Sequence, residues 1–303
     1  MQRRPVIVAL VIVQVLFSTL PIAAKIALRE LSSPAIALIR VSSAALLFVV
    51  IHELTVRERI RTRGDYLRLA YYSVLGVSLN QLLYITGLTM TSATAAQMLI
   101  TGGPAITLMV AMLLGKEVAT PAKWLGIALA GAGALMLIGI GIAESRAVGN
   151  ILIVVNMVAY SMYLVSARDI VHRYHPLTVI TWIFIFGAIG LTPFGLRPAL
   201  REFGATSLNT QLVLVYIIIF PTVIAYYLNM WALTRVESSV VSMFVYLQPV
   251  LTAVMAIPIL GERPSLRMLP AALLIFAGVG LAIRSGRRAD HRPDPADQAV
   301  VEP

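Results

Sequence analysis

The sequence contains no cysteine and only 13% charged residues, with 14 acidic side chains in 303 residues. The first absence excludes thiol chemistry and leaves the redox compartment undecided. The second excludes an ordinary soluble domain, in which about a quarter of the residues are charged. No GxxxxGK[ST] loop is present to cradle phosphates, no His/Cys metal spacing and no GxSxG elbow, and Gly131-Ala-Gly133 lies inside an apolar stretch rather than in a dinucleotide fingerprint. No membrane carboxylate pair stands ready as acid and base. An enzyme and a bound cofactor or metal are therefore not expected. Acidic and histidine side chains are also missing from the middle of every apolar stretch: Glu117 and Glu262 sit at stretch ends, and His52, His172, His175 and His291 are assigned to loops or the tail. Proton relays run through such groups, so uncoupled diffusion or exchange is expected, with coupling through an end carboxylate or the substrate left open.

What remains is apolar: 59% of the residues are hydrophobic. Ten stretches, about residues 5–28, 34–52, 66–88, 92–114, 123–142, 149–168, 176–195, 209–233, 237–260 and 265–284, are long enough as helices to cross the roughly 30 Å hydrocarbon core. Ile151-Leu-Ile-Val-Val155 does not alternate in polarity, so helices are expected rather than barrel strands. The first stretch is longer than a secretory h-region and others follow it, so it is read as a helix and not a cleaved leader.

The formal net charge of +10 does not point to nucleic acid, because the basic residues occupy loops, not one face. They crowd one set of loops, with Arg57, Arg59, Arg61, Arg63 and Arg68 in the densest; the opposite set holds Lys25, Arg29, Arg146, Arg197, Arg201, Arg263 and Arg267. The positive-inside rule then puts both termini in the cytoplasm.

Polar and special residues recur at a fixed offset. Pro104 and Glu117 return as Pro249 and Glu262, 145 positions later, with Leu88/Leu233, Thr89/Thr234, Met98/Met243, Thr107/Thr252 and Gly133/Gly278 in the same register. Five stretches per copy is odd, so the second copy crosses the membrane upside down. Inverted repeats are the build of transporters that hold substrate near the midplane and rock one repeat against the other. Pro104 and Pro249 lack an amide hydrogen and are expected to free the carbonyls of Ile100 and Val245. The Gly102-Gly103-Pro104 and Gln248-Pro249 segments then line protein or a cavity, unless they are packing kinks.

Gln14 and Ser18 of the first stretch match Asn156 and Tyr160 of the sixth; Gln81 and Tyr84 match Tyr226 and Asn229; Gln97 and Thr101 match Ser242 and Tyr246. Spacings of three and four put each pair on one helical face. Singly, such residues serve as interhelical glue; as a set converging from both copies they point to a ligand cavity. Tyr84, Tyr160, Tyr163, Tyr226, Tyr227, Trp231 and Tyr246 would supply aromatic walls. Gly126, Ala130, Gly131, Gly133 and Ala134 in the fifth stretch, and Ala277, Gly278, Gly280 and Ala282 in the tenth, form small-residue faces suited to close packing or a dimer surface. Lys25 and Arg40 are read as snorkelling to the interface, with a cationic gate for a substrate carboxylate as the functional alternative.

Phe17-Ser-Thr-Leu-Pro-Ile-Ala-Ala-Lys25 ahead of Pro34, Ala159-Tyr-Ser-Met-Tyr163 ahead of His175-Pro176, and the paired Pro104/Glu117 and Pro249/Glu262 ends resemble the drug/metabolite transporter superfamily, EamA type, over residues 6–285. Pro21 and Leu20 depart from the relatives' first-helix pattern. The resemblance implies ten helices in two inverted five-helix repeats and efflux of small metabolites, amino acids in the YddG-like branch.

The expectation is thus an all-α integral membrane protein: one repeat over residues 1–146, a second over 147–285, and a disordered cytoplasmic tail over 286–303. It is a secondary exporter of the bacterial inner membrane, a monomer or homodimer in the lipid bilayer, with a small-molecule substrate, no nucleic acid and no cofactor. The substrate-binding candidates are Gln14, Ser18, Gln81, Tyr84, Gln97, Thr101, Asn156, Tyr160, Tyr163, Tyr226, Asn229, Ser242, Tyr246 and Gln248, with Pro104, Pro249 and Lys25 as helix-break or gating residues. A non-transporting scaffold or receptor is the rival. Single cysteines introduced near each end of this cysteine-free chain should both be labelled only from the cytoplasmic side; labelling from opposite sides would remove the odd-numbered repeat.

Overall fold

In the computed structural model, which describes residues 3–117, 119–144, 147–167, 170, 173–233, 244–245, 247–263, 266 and 268–290, every regular element is helical. The first two rods are α1 (Arg3–Ala27) and α2 (Ser33–Thr55). The third is α3 (Arg63–Ser73), a π turn over Val74–Ser78, and α4 (Leu79–Met90). The fourth is α5 (Ala93–Ile100) and α6 (Gly103–Leu113), followed by α7 (Pro121–Glu144), α8 (Ala147–Ser166) and α9 (Pro176–Glu202). The eighth is α10 (Leu208–Ile218), a π turn over Ile219–Ile224, and α11 (Ala225–Leu233); α12 (Leu247–Leu260) and α13 (Met268–Asp290) follow. Seven rods are at least 20 residues long and apolar enough to cross a membrane, and the shorter apolar helices Pro121–Met136, Leu247–Leu260 and Met268–Leu281 occupy the remaining three positions. The protein is a ten-helix integral membrane protein.

Boundaries differ from the sequence expectation where polar residues extend a helix. His52 belongs to the last turn of α2 and is buried, not in a loop, with Nε2 3.1 Å from Thr178 Oγ1. The third rod begins at Arg63 because Thr62 caps it, accepting from the Asp65 amide at 3.2 Å. α13 runs to Asp290, five residues into the stretch expected as a tail; 291–303 and most of 234–246 lie outside the described residues. The outer prolines break nothing: Pro34 and Pro176 open α2 and α9, where a missing amide hydrogen costs no bond.

The pairing of rods reveals the inversion. α2 packs along α9 and α7 along α13, while α4 packs on α8 as α11 packs on α1. Exchanging each rod for the one five places on maps the first two pairs onto themselves and the last two onto each other, as a two-fold relation requires, and five rods per copy put its axis in the membrane plane. Both π turns sit at the 145-residue offset, Val74 answering Ile219. Gly133 and Gly278 lie at equivalent places in α7 and α13: a Cβ on Gly278 would stand 2.5 Å from the Gly126 carbonyl oxygen, and one on Gly133 would stand 2.6 Å from that of Ala271. These small residues are used within one chain, between the fifth and tenth rods, whereas Gly131 and Gly280 face open space.

Loop carboxylates close the helix starts. Glu202, at the end of α9, accepts the Ser32 amide at the start of α2 at 2.7 Å, and Glu58, just beyond α2, accepts the His175 amide at the start of α9 at 2.7 Å. Glu30 accepts the Ser207 amide and hydroxyl at 2.6 and 2.7 Å ahead of α10. The Ser207 hydroxyl first, then its amide and Thr210, hold the Glu30 carboxyl below the ordinary carboxylate range. That stabilisation is present above the unfolded pKa and lost as pH falls through the lowered folded value.

Gly278→Leu should lower stability by about 1–3 kcal/mol through overpacking, read as the thermal midpoint in detergent, while Gly280→Leu should leave it near wild type. Glu30→Gln should flatten the acid limb of the stability–pH curve; an unchanged limb would show that the Ser207 contacts contribute nothing.

Candidate functional site

Two polar clusters occupy the interior between the repeats. The first is a zip of amides. Gln248 Nε2 donates to Gln14 Oε1 at 2.5 Å, and Gln97 Nε2 donates to Gln248 Oε1. Ser18 Oγ donates to the Gln14 carbonyl at 2.6 Å and contacts that of Gln248 at 3.3 Å; Thr252 Oγ1 returns to the Ser18 carbonyl at 3.0 Å, and Thr101 Oγ1 donates to the Gln97 carbonyl at 2.9 Å. All six side chains are buried. The amides join the first, fourth and ninth rods in an open line, Gln97 to Gln248 to Gln14, an arrangement suited to interhelical glue.

The prolines flanking this zip act as helix starters. Pro104 opens α6 after a tight turn in which the Gly102 amide donates to the Leu99 carbonyl at 2.8 Å. Pro249 lies in the first turn of α12, and the Val245 carbonyl, expected to be freed, accepts the Gln248 amide at 3.0 Å. The broken fourth rod is thus two helices in series, because proline tolerates the first turn and not the interior.

The second cluster is aromatic. Tyr84 of α4, Tyr160 and Tyr163 of α8 and Tyr226 of α11 lie within electrostatic reach of one another or of Arg40. The Tyr160 and Tyr163 rings are 5.7 Å apart, and Tyr226 is edge-on to Phe17 and Phe184 at 5.8 and 5.9 Å. None of the four hydroxyls has a hydrogen bond among the described residues, and Ser32 Oγ is the only buried side-chain oxygen or nitrogen there that is both unbonded and sealed from a water-sized group. The four oxygens therefore open onto space that water or a ligand can enter.

Arg40 was read as snorkelling and does not. It is 3% exposed, with Nε donating to Thr222 Oγ1 at 2.9 Å and Nη1 to Gln81 Oε1 at 2.8 Å. Thr222 belongs to the π turn of the eighth rod, and its hydroxyl donates onward to the Ile217 carbonyl at 2.8 Å, five residues back. The wide turn thus converts a backbone acceptor into support for the guanidinium, the kind of site at which π turns concentrate. The sequence leaves Arg40 between an interface residue and a cationic gate, because depth along a helix does not tell which way the side chain points.

The other candidates scatter. Asn156 Nδ2 donates to the Asn80 carbonyl at 2.7 Å, joining α8 to α4. Asn229 is half-buried without a bond among the described residues. Tyr227 is 55% exposed, and Trp231 packs against Val6, Leu10 and Ala232, so neither joins the aromatic cluster. Ser242 and Tyr246 lie outside the described residues. A concavity of about 790 Å³ lined by Ile189, Thr192, Leu196, Arg197 and Arg201 belongs to the flank of α9 and touches none of these residues.

Glu262 makes the cap that ties the ninth rod to the fourth. Its carboxylate accepts the Ala93 amide at 2.6 Å, the Thr94 amide at 3.2 Å and the Thr94 hydroxyl at 2.9 Å, with Lys25 in its field. A carboxylate on a helix start satisfies amides and the dipole together. Its counterpart Glu117 pairs with Lys123 Nζ at 3.0 Å; the equivalent helix start near residue 238 lies outside the described residues. Asp65, which sequence reasoning passed over, anchors the opposite face, where Arg173 Nη2 and Tyr174 Oη each donate to it at 2.7 Å.

Ten rods in inverted halves around a buried polar interior define a membrane transporter fold. A model of the EamA-like transporter family matches residues 4–139 and 147–284, and the chain belongs to that family. It is 27% identical over 266 residues to an uncharacterized transporter of Archaeoglobus fulgidus, covering 86% of this chain and 92% of that one. A second such transporter of the same organism is 28% identical over 222 residues, with 72% and 76% covered. A solved crystal structure superposes with a TM-score of 0.62 over 95% of this chain and all of the other, at 18% identity, a likeness of fold.

Gln248→Leu should leave the Gln14 and Gln97 amides unsatisfied and cost about 1–3 kcal/mol in thermal stability. Replacing all three glutamines by leucine should recover most of it; no recovery would show that the amides do more than hold helices.

Proposed function

We propose that this transporter exports small metabolites, amino acids with aromatic ones among them, by alternating access. The repeats, 1–146 and 147–285, rock about the interface of α2 with α9, and both termini stay in the cytoplasm of a bacterial cell. The observation that carries the reading is the convergence of four partnerless tyrosine hydroxyls from the third, sixth and eighth rods between the two halves. Stacking surface with open hydroxyls suits a substrate that is part ring and part polar. Tyr84, Tyr160, Tyr163 and Tyr226 contact the substrate, joined by Gln81, Asn229 and, from the ninth rod, Ser242 and Tyr246. Gln14, Ser18, Gln97, Thr101, Asn156 and Gln248 face the same interface and hold the rods that move. Pro104 and Pro249 mark where the fourth and ninth rods bend, and Glu262 with Lys25 closes the face opposite the chain's amino end.

Reconstitution in liposomes tests this. Counterflow of labelled amino acids should be saturable and fall about tenfold, a loss near 1.4 kcal/mol, in Tyr84→Ala and Tyr226→Ala of unchanged thermal midpoint. An imposed pH gradient should leave the rate unchanged, since no acid or histidine stands mid-rod. Absence of flux across amino-acid, nucleoside and sugar panels would overturn the proposal, and a pH-driven rate would overturn its uncoupled form.

A further inference from the structure

Arg40 is a cation held deep in the membrane fold. It is 3% exposed and stands seven residues into α2, about 10 Å along the helix axis from its start. Among the described residues no carboxylate lies within ion-pair distance of it. A buried charge without a counter-charge is costly, and such groups inside membrane helices are retained where they bind or conduct. Two neutral acceptors from rods of opposite repeats fix Arg40, Thr222 at Nε and Gln81 at Nη1, while Nη2 has no bond and is not sealed. The Tyr84 and Tyr226 hydroxyls stand within electrostatic reach of the same guanidinium.

We infer that Arg40 is the specificity-determining residue of the transport site: it receives the carboxylate of an organic acid whose remaining bulk lies among Tyr84, Tyr160, Tyr163 and Tyr226. This rests on the substrate reading of that aromatic cluster. Thr222 takes Nε and Gln81 takes Nη1, so the guanidinium plane is fixed from both sides and Nη2, between them, is presented with little ordering left to binding. A single carboxylate matches the site. Arg40 supplies one positive charge, and Lys25, in the last turn of α1, has Glu262 in its field. A phosphate dianion would leave a charge unbalanced. Because Gln81 and Thr222 belong to different repeats, both of them grip Arg40, and the substrate carboxylate lands where the two halves meet.

The test uses the full chain, purified in detergent and reconstituted in liposomes, with two acid–amide pairs as probes: L-phenylalanine with L-phenylalaninamide, and 3-phenylpropionate with 3-phenylpropionamide. Wild type should be thermally stabilised by the acids, with apparent affinity about tenfold or more above the amides, the worth of a charge-assisted hydrogen bond. Arg40→Gln should bring the acid–amide ratio near one, and Arg40→Lys should keep part of it. If Arg40→Gln does not fold, Arg40→Lys decides: weaker acid binding with unchanged amide binding supports the assignment, and two unchanged affinities overturn it. A wild type that binds neither acid, or acids and amides alike, also overturns it. Acid binding that depends on Arg40 without flux in liposomes would sink the transport reading and leave the carboxylate site standing. Flux with no preference for the carboxylate would do the reverse.

Discussion

Each helix in lipid begins with amide hydrogens that have no partner within the helix, and this chain answers them with carboxylates from distant loops. Glu202 closes α2 and Glu58 closes α9, a reciprocal exchange across the repeat interface; Glu30 closes α10 and Glu262 closes α5. These contacts satisfy amides that the helix itself cannot serve and tie each start to the loop that supplies the carboxylate. With 14 acidic residues in the chain, four are committed to this one task. The caps also explain how acids can be excluded from the rods yet matter to the fold.

On that frame the interior divides by chemistry. Amides pair with amides in a line of three, Gln97 to Gln248 to Gln14, since each glutamine offers both donor and acceptor. Tyrosines pack on one another and on Phe17 and Phe184 through their rings and leave their hydroxyls without protein partners among the described residues. The first arrangement holds the first, fourth and ninth rods together; the second leaves polar capacity for something the protein itself does not supply. Arg40 stands at the boundary, supported by the amide of Gln81 yet adjacent to the tyrosines. The proposed alternating access uses both kinds, one to define a closed form and one to bind.

The π turns connect this interior to the repeat. Both copies widen the helix at the same register, and in the second the extra residue lets Thr222 serve its own backbone and Arg40 at once. In the first copy Val77 stands at the matching position, apolar and buried. The halves are alike in backbone and unlike in side chain, which makes a symmetric scaffold carry a site with a single charge.

Ten spans, their inversion and the polar residues of the interior were all legible in the amino-acid order. Span length, a fixed offset and an odd count per copy are properties of the chain in one dimension, and lipid forbids most alternatives. The Gly133/Gly278 match could be read off directly, because close helix contact admits nothing larger at either place. Which polar groups pair with which could not. Gln14, Gln97 and Gln248 are far apart in the chain, and only packing shows that they consume one another's bonds. Arg40 lies on a helix whose residues are hydrophobic all round, so periodicity gave its side chain no direction. The extent of α2 to Thr55, past His52, and the start of the third rod at Arg63 rest on short-range caps at Val56 and Thr62. The fold followed from local rules of length and polarity; the site needed the tertiary structure, because a binding site is a set of bonds left unmade after every other pairing is settled.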